Sequence, residues 1–270
     1  MMAQKKWFGT AFVALAAAVS GGVELSNLQG AIASENEIHW GYTGDEGPGN
    51  WGSLSPDYAQ CQSGNHQSPI NLNGAIAADL SEFQIDYAEV PLKILNNGHT
   101  IQVNAESGNT LTLDGTVFEL LQFHFHHPSE HTVNGQSYPM EIHFVHRNEE
   151  TGELAVLGVL VEEGEENMAL KSVWDYLPSR MRPEMEISDT AIDLEAILPE
   201  SRSTYRYFGS LTTPPCSEVV RWVVFQEAIE LSSSQIEAFS QIFPLNARPV
   251  QPLNQRFLLE PTFGPQTVTW

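Results

Sequence analysis

The sequence is short of positive charge. Its 270 residues include 12 Lys or Arg against 34 Asp or Glu, for a formal net charge of −22. Such a balance excludes a nucleic-acid partner held through phosphates and repels an anionic membrane surface. Cysteine is scarce as well, with two in the chain, Cys61 and Cys216. Two cysteines exclude a Cys-rich zinc module. In an exported protein an isolated pair reads as a disulfide, with two separate buried thiols as the alternative. No internal repeat and no linker-like stretch divides the chain, so one domain is expected. No His-Glu-x-x-His occurs, which excludes the helical zinc-peptidase motif.

Long apolar runs are also missing. The longest candidate, Trp7 to Val19, spans about thirteen residues and is too short for a membrane helix. Lys5 and Lys6 precede it, and Ala31-Ile-Ala33 follows as a small-x-small site. These are the parts of a secretory signal peptide, predicted over residues 1–33, with the mature domain over 34–270. Cleavage would remove two positive charges and one negative, Lys5, Lys6 and Glu24, leaving −23. A periplasmic or secreted location is expected, with no stable membrane insertion after cleavage; the alternative is an uncleaved N-terminal anchor.

What the chain does have is a run of short strands. From Lys93 to Val161, alternating apolar segments are broken by Asn96-Asn-Gly98, Ser107-Gly-Asn109, Asp114-Gly115, Asn134-Gly135 and Thr151-Gly152. Helical spacing is confined to Leu170, Val173, Trp174 and Leu177 before Pro178, and to Ile236, Phe239 and Phe243. For the second helix, Ser234 and Glu237 suggest a capping box. The fold class predicted is β-rich α+β, with a central, mostly antiparallel twisted sheet and few short peripheral helices.

Two of these strands carry candidate metal ligands. In Glu119-Leu-Leu-Gln-Phe-His-Phe-His126, residues two apart share a face, so His124 and His126 point the same way and Phe123 and Phe125 the other. A second strand, Met140-Glu-Ile-His-Phe-Val-His146, adds His143 if it lies alongside. Three neutral imidazoles without a fourth protein ligand suit a catalytic Zn2+, which keeps an open position. Gln122 and Glu141 each sit two residues before a histidine. They are placed to accept its second N–H and fix its tautomer. The alternative is a histidine-rich strand pair that binds no metal.

Longer motifs identify a family. Phe123-His-Phe-His126, Ser129-Glu-His-Thr-Val133, Glu141-Ile-His-Phe-Val-His146 and Ser210-Leu-Thr-Thr-Pro-Pro215 resemble α-class carbonic anhydrases of the bacterial exported type. So do His39-Trp-Gly-Tyr42, Gln67-Ser-Pro69, Asn96-Asn-Gly-His99 and Arg248-Pro-Val-Gln-Pro252, in the family's order. The resemblance implies a sheet of about ten strands. It also implies reversible hydration of carbon dioxide to bicarbonate and a proton by attack of zinc-bound hydroxide, with His124, His126 and His143 as ligands. Thr212 and Glu130 would orient the nucleophile. His99 would carry the proton along water held by Tyr42 and Asn97, and Gln102 stands where some relatives have asparagine. Val145, Val156, Leu211, Thr213 and Trp222 would line the substrate pocket. His127, His131 and His146 are read as structural. Cis peptide bonds are implied at Ser68–Pro69 and Pro214–Pro215. A carbonic anhydrase fold kept only for binding would be signalled by a lost zinc histidine, and all three are present.

Overall fold

The computed structural model describes residues 38–262. The predicted leader, 1–33, lies outside them. Ten strands form one continuous path: β1 (Ile76–Ala78), β2 (Glu89–Asn96), β3 (Ile101–Asn104), β4 (Thr116–His126), β5 (Met140–Arg147), β6 (Leu154–Glu163), β7 (Arg182–Asp193), β8 (Thr204–Gly209), β9 (Val220–Phe225) and β10 (Leu259–Pro261). Their spatial order is β7-β2-β3-β4-β5-β6-β9-β8-β10-β1. Within the path all pairs are antiparallel except β6–β9 and β10–β1. Phe83–Asp86, Thr110–Leu113 and Ile229–Leu231 complete a 13-stranded sheet. The β-rich class and the mostly antiparallel twisted sheet expected from the sequence are the architecture observed.

Turn chemistry sets the hairpins. Asp114 and Gly115 both have positive φ (51° and 76°), the geometry a two-residue hairpin needs to match strand twist. That turn joins Thr110–Leu113 to β4, with Leu113 opposite Thr116. Helices are short, as expected. The first periodic segment makes a single helix of five residues, Lys171–Asp175. The second forms Ser233–Ser240, but its cap differs from the expected Ser234/Glu237. Ser232 is extended at the N-cap and accepts from the Gln235 N–H, while the Gln235 side chain accepts from Ser232 N. The box sits two residues earlier because Ser232 is the residue with non-helical backbone.

The sheet is apolar on both faces. One face carries Phe123, Phe125, Ile142, Phe144, Leu157, Val159, Val223 and Phe225, covered by Phe239 and Val173 of the helices. Burying each phenylalanine there contributes roughly 1.5–3 kcal/mol. The other face carries Val145, Val156, Leu160, Tyr207, Trp222 and Val224. Period-two alternation therefore puts Phe123 and Phe125 in the main core. It turns Gln122, His124 and His126 of the same strand towards the second face. In the N-terminal segment Trp51 packs with Cys61, Cys216, Trp40 and Tyr42 as a separate small cluster.

Candidate metal centre

Strand register builds the site. β5 runs antiparallel to β4 with His143 opposite His124 and Glu141 opposite His126. His126 and His143 are buried, and His124 is partly buried. The ring centroids of His124, His126 and His143 lie 4.9, 5.4 and 4.5 Å apart. One nitrogen from each ring lies within 4.8 Å of the others.

The outer nitrogens are all engaged. His124 Nδ1 meets Gln122 Oε1 at 2.9 Å, His126 Nδ1 meets the Asn246 carbonyl at 2.7 Å, and His143 Nε2 meets Glu141 Oε1 at 2.8 Å. An amide oxygen, a carbonyl and a carboxylate can only accept. Each outer nitrogen must therefore carry the proton, and each inner one, Nε2, Nε2 and Nδ1, keeps its lone pair. Burial pushes all three histidines below their usual pKa, His126 to about 4, so the rings are neutral at pH 7. Gln122 and Glu141 stand where the sequence predicted. Asn246 was missed. Its contact is a backbone carbonyl 120 residues from His126, which no local pattern reveals.

Glu141 does more than its predicted task. Its carboxylate accepts from His143 Nε2, His131 Nδ1 (2.7 Å) and the backbone N–H groups of Glu130 (2.9 Å) and His131 (2.8 Å). Burial alone would raise its pKa; His131 and His143 outweigh that and hold it well below the ordinary value. His131, read as structural, also reaches Tyr207 Oη at 2.6 Å. His131, Glu141 and His143 could themselves hold a cation. Their facing atoms are already joined by hydrogen bonds, so that alternative would cost the tautomer of His143. Gly158 faces His143 from β6. A Cβ there would come within 3.1 Å of Glu141 Oε1 and 3.3 Å of Val224 Cγ2. Glycine leaves the carboxylate its space.

The residues fit a metal. His126 Nε2 and Glu130 Oε2 are buried and lack a hydrogen-bond partner among the described residues. An orphaned buried polar atom costs about 1–3 kcal/mol. A cation shared by three imidazole lone pairs removes that cost at His126. Three nitrogen donors and no fourth protein ligand match a catalytic zinc site.

Around the histidines, Glu130 Oε2 lies 3.6 Å from His126 Nε2 and 3.8 Å from His143 Nδ1. Its Oε1 accepts from Arg248 N at 2.8 Å. Burial raises Glu130 to about 7, against the pull of His143, the Arg248 N–H and the Thr212 hydroxyl. Among the described residues Glu130 Oε2 has no hydrogen-bond partner. Val145 faces Val156, Val156 faces Trp222, and the Trp222 ring is 4.8 Å from His143. Leu211 packs on the same cluster, and Thr213 turns the chain by accepting from Cys216 N at 2.9 Å. His99 stacks on Trp40, centroids 3.7 Å apart and planes 4° from parallel. Its N–H is held by Asn97 Oδ1 at 2.9 Å. Burial and then His39 lower His99 to about 4. Gln102 lies opposite His124 on β3 and bonds Asn104 at 2.6 Å. Tyr42 joins the cluster of Trp40 and Trp51. His146 is on the opposite face, 2.6 Å from Tyr87 Oη.

Cys61 and Cys216 form a disulfide, Cα atoms 5.0 Å apart. Arg248, buried, ties that bridge to the site: Nη2 donates to the Cys61 carbonyl (2.8 Å) and Nη1 to Gln67 Oε1 (2.9 Å), while Gln67 donates to the Cys216 carbonyl (3.0 Å). The peptide bonds Ser68–Pro69 and Pro214–Pro215 are cis as implied, and so is His127–Pro128.

Residues 46–261 match the model of the eukaryotic-type carbonic anhydrase family. A carbonic anhydrase of Nostoc sp. is 46% identical over 244 residues, covering 88% of this chain and 92% of that protein. One from Pectobacterium carotovorum is 43% identical over 230 residues, covering 85% and 93%. Among solved structures, the α-carbonic anhydrase of Thermovibrio ammonificans in complex with the inhibitor sulfanilamide is 47% identical with a TM-score of 0.80. That match covers 83% of this chain and 99% of the other. The chain belongs to the eukaryotic-type, or α, carbonic anhydrase family.

Proposed function

We propose that the protein catalyses the reversible hydration of carbon dioxide to bicarbonate and a proton with one zinc ion held by His124 Nε2, His126 Nε2 and His143 Nδ1. The observation that carries this reading is the set of three inward lone pairs, each fixed by an acceptor behind it. Zinc at such a site lowers the pKa of water to about 7 and so supplies the nucleophile at neutral pH.

The chain's own residues do the rest. Val145, Val156, Leu211 and Trp222 offer carbon dioxide an apolar wall beside the histidines. With its hydroxyl turned to donate to Glu130, Thr212 would keep its oxygen as an acceptor, which favours a nucleophile with a proton to give and disfavours ligands without one. His99 takes the released proton outward. Stacked on Trp40 its pKa is about 4, too low to accept a proton efficiently near pH 7. An orientation away from the indole would hydrate the ring and raise its pKa, because burial is the main cause of the low value.

The disulfide supports export to an oxidising compartment, periplasmic or extracellular, after loss of residues 1–33. No helix of the described residues is long and apolar enough to cross a membrane. Replacing His126 with Ala tests the assignment. The variant should lose both bound zinc and hydration activity, and native zinc content with a native rate would overturn it.

A further inference from the structure

We propose that the side chain of Asn246 is a positioning residue for proton transfer, fixing the turn that carries His99 against the strand that carries His126. The inference rests on the reading of His99 as proton carrier.

Asn246 is fully buried, and all of its polar groups are used. Its backbone carbonyl accepts from His126 Nδ1 at 2.7 Å, and its backbone N–H donates to the His127 carbonyl at 3.0 Å. The side chain makes a second set of contacts. Oδ1 accepts from His127 N at 2.7 Å, and Nδ2 donates to the carbonyls of Phe125 at 2.9 Å and His99 at 3.0 Å. One amide therefore joins the backbone on both sides of His126 to the backbone of His99. Thr100 closes the same seam, its Oγ1 donating to the Phe125 carbonyl at 2.6 Å.

The consequence is a division of freedom. The backbone of His99 is held to the metal strand by Asn246, and its N–H is taken by Asn97 Oδ1. Its imidazole is stacked on Trp40 and makes no hydrogen bond among the described residues. Transfer through water needs the carrier at a set distance from the proton source. Misplacing a reacting group by about 1 Å costs on the order of 10²-fold; a water-bridged path is more tolerant, so about tenfold is expected here. Removing the amide keeps the backbone carbonyl that faces His126 Nδ1 and the backbone N–H that donates to His127.

The test is carbon dioxide hydration by stopped flow on zinc-loaded Asn246→Ala and Asn246→Asp, with His99→Ala alongside. Asp is isosteric and keeps an acceptor for His127 N. Its other oxygen faces two carbonyls in a buried site, so it must take up a proton and can then donate to only one of them, which makes it the milder loss if the Ala variant fails to fold. Read per bound zinc in weak buffer, kcat should fall about tenfold and by a clearly larger factor than kcat/KM. Small imidazole buffers should restore the lost part of kcat. Added to His99→Ala, the Asn246 change should cause no further loss in kcat, since both act on one step.

Native kcat in weak buffer with only a lower melting temperature would overturn the proposal and leave Asn246 a structural residue. A parallel fall of kcat and kcat/KM with zinc loss would also overturn it, placing the effect on the metal. If His99→Ala itself matches native protein at every buffer concentration, the carrier reading fails. If His99→Ala is slow and the Asn246 variants are not, the positioning role alone fails.

Discussion

Glu141→Gln is the sharpest perturbation the site offers, because one buried carboxylate accepts four hydrogen bonds. Glutamine has the same shape but only one acceptor oxygen, so its NH2 must face two donors. If the NH2 takes the place of Oε2, it faces the backbone N–H groups of Glu130 and His131. Two orphaned buried donors cost roughly 1–3 kcal/mol each, so the fold loses about 2–6 kcal/mol. If it takes the place of Oε1, it faces His131 Nδ1 and His143 Nε2, and donating to the latter forces that ring's proton onto Nδ1, the nitrogen meant for the metal. Loss of such a partner typically costs 10–100-fold in metal affinity, about 1.4–2.8 kcal/mol. The amide settles in whichever orientation costs less, so the loss appears in stability or in zinc affinity. Zinc competition against a chelator of known affinity reads one, and thermal unfolding of the metal-free protein reads the other. A variant native in both measurements would refute the tautomer argument for His143.

Two further outcomes follow from groups away from the metal. Reduction of Cys61–Cys216, which closes a separation of 155 residues, should destabilise the protein by up to about 5 kcal/mol in the chain-entropy model; equal denaturant midpoints with and without reductant would contradict this. His146 is buried, neutral and held at about 4, so between pH 6.5 and about 4 the unfolded chain binds a proton there that the folded chain does not. Stability therefore falls with pH through that window by about 3 kcal/mol from this residue. Glu130, raised to about 7, works in the opposite sense between 4.5 and 7, so the readout is the difference between native protein and His146→Gln. That difference should shrink by about 3 kcal/mol from pH 7 to pH 4, and a constant difference would rule the effect out.

Much of the site was legible because strands have an exact short period. Alternation alone placed Gln122, His124 and His126 on one face and Glu141 and His143 on another, and the β4–β5 register made those faces one. Glu130 and Thr212 came from resemblance, since neither residue type nor spacing distinguishes them from a structural carboxylate and a turn hydroxyl. Contacts made by backbone at long range were out of reach. Asn246 acts through its carbonyl on His126, and any residue presents a carbonyl. The stacking of His99 on Trp40 joins residues 59 positions apart through a loop with no periodicity. At the second helix, Ser232, Ser233 and Ser234 are chemically equivalent as caps, and only the backbone angles pick Ser232.

The most direct measurement of the central claim is carbon dioxide hydration on the disulfide-bonded protein before and after its metal is stripped with a chelator, with zinc then returned stepwise. Activity should vanish with the metal and return in proportion to zinc, saturating at about one ion per chain. Hydration that persists in the metal-free protein, or that fails to return at one zinc per chain, would contradict the assignment of His124, His126 and His143.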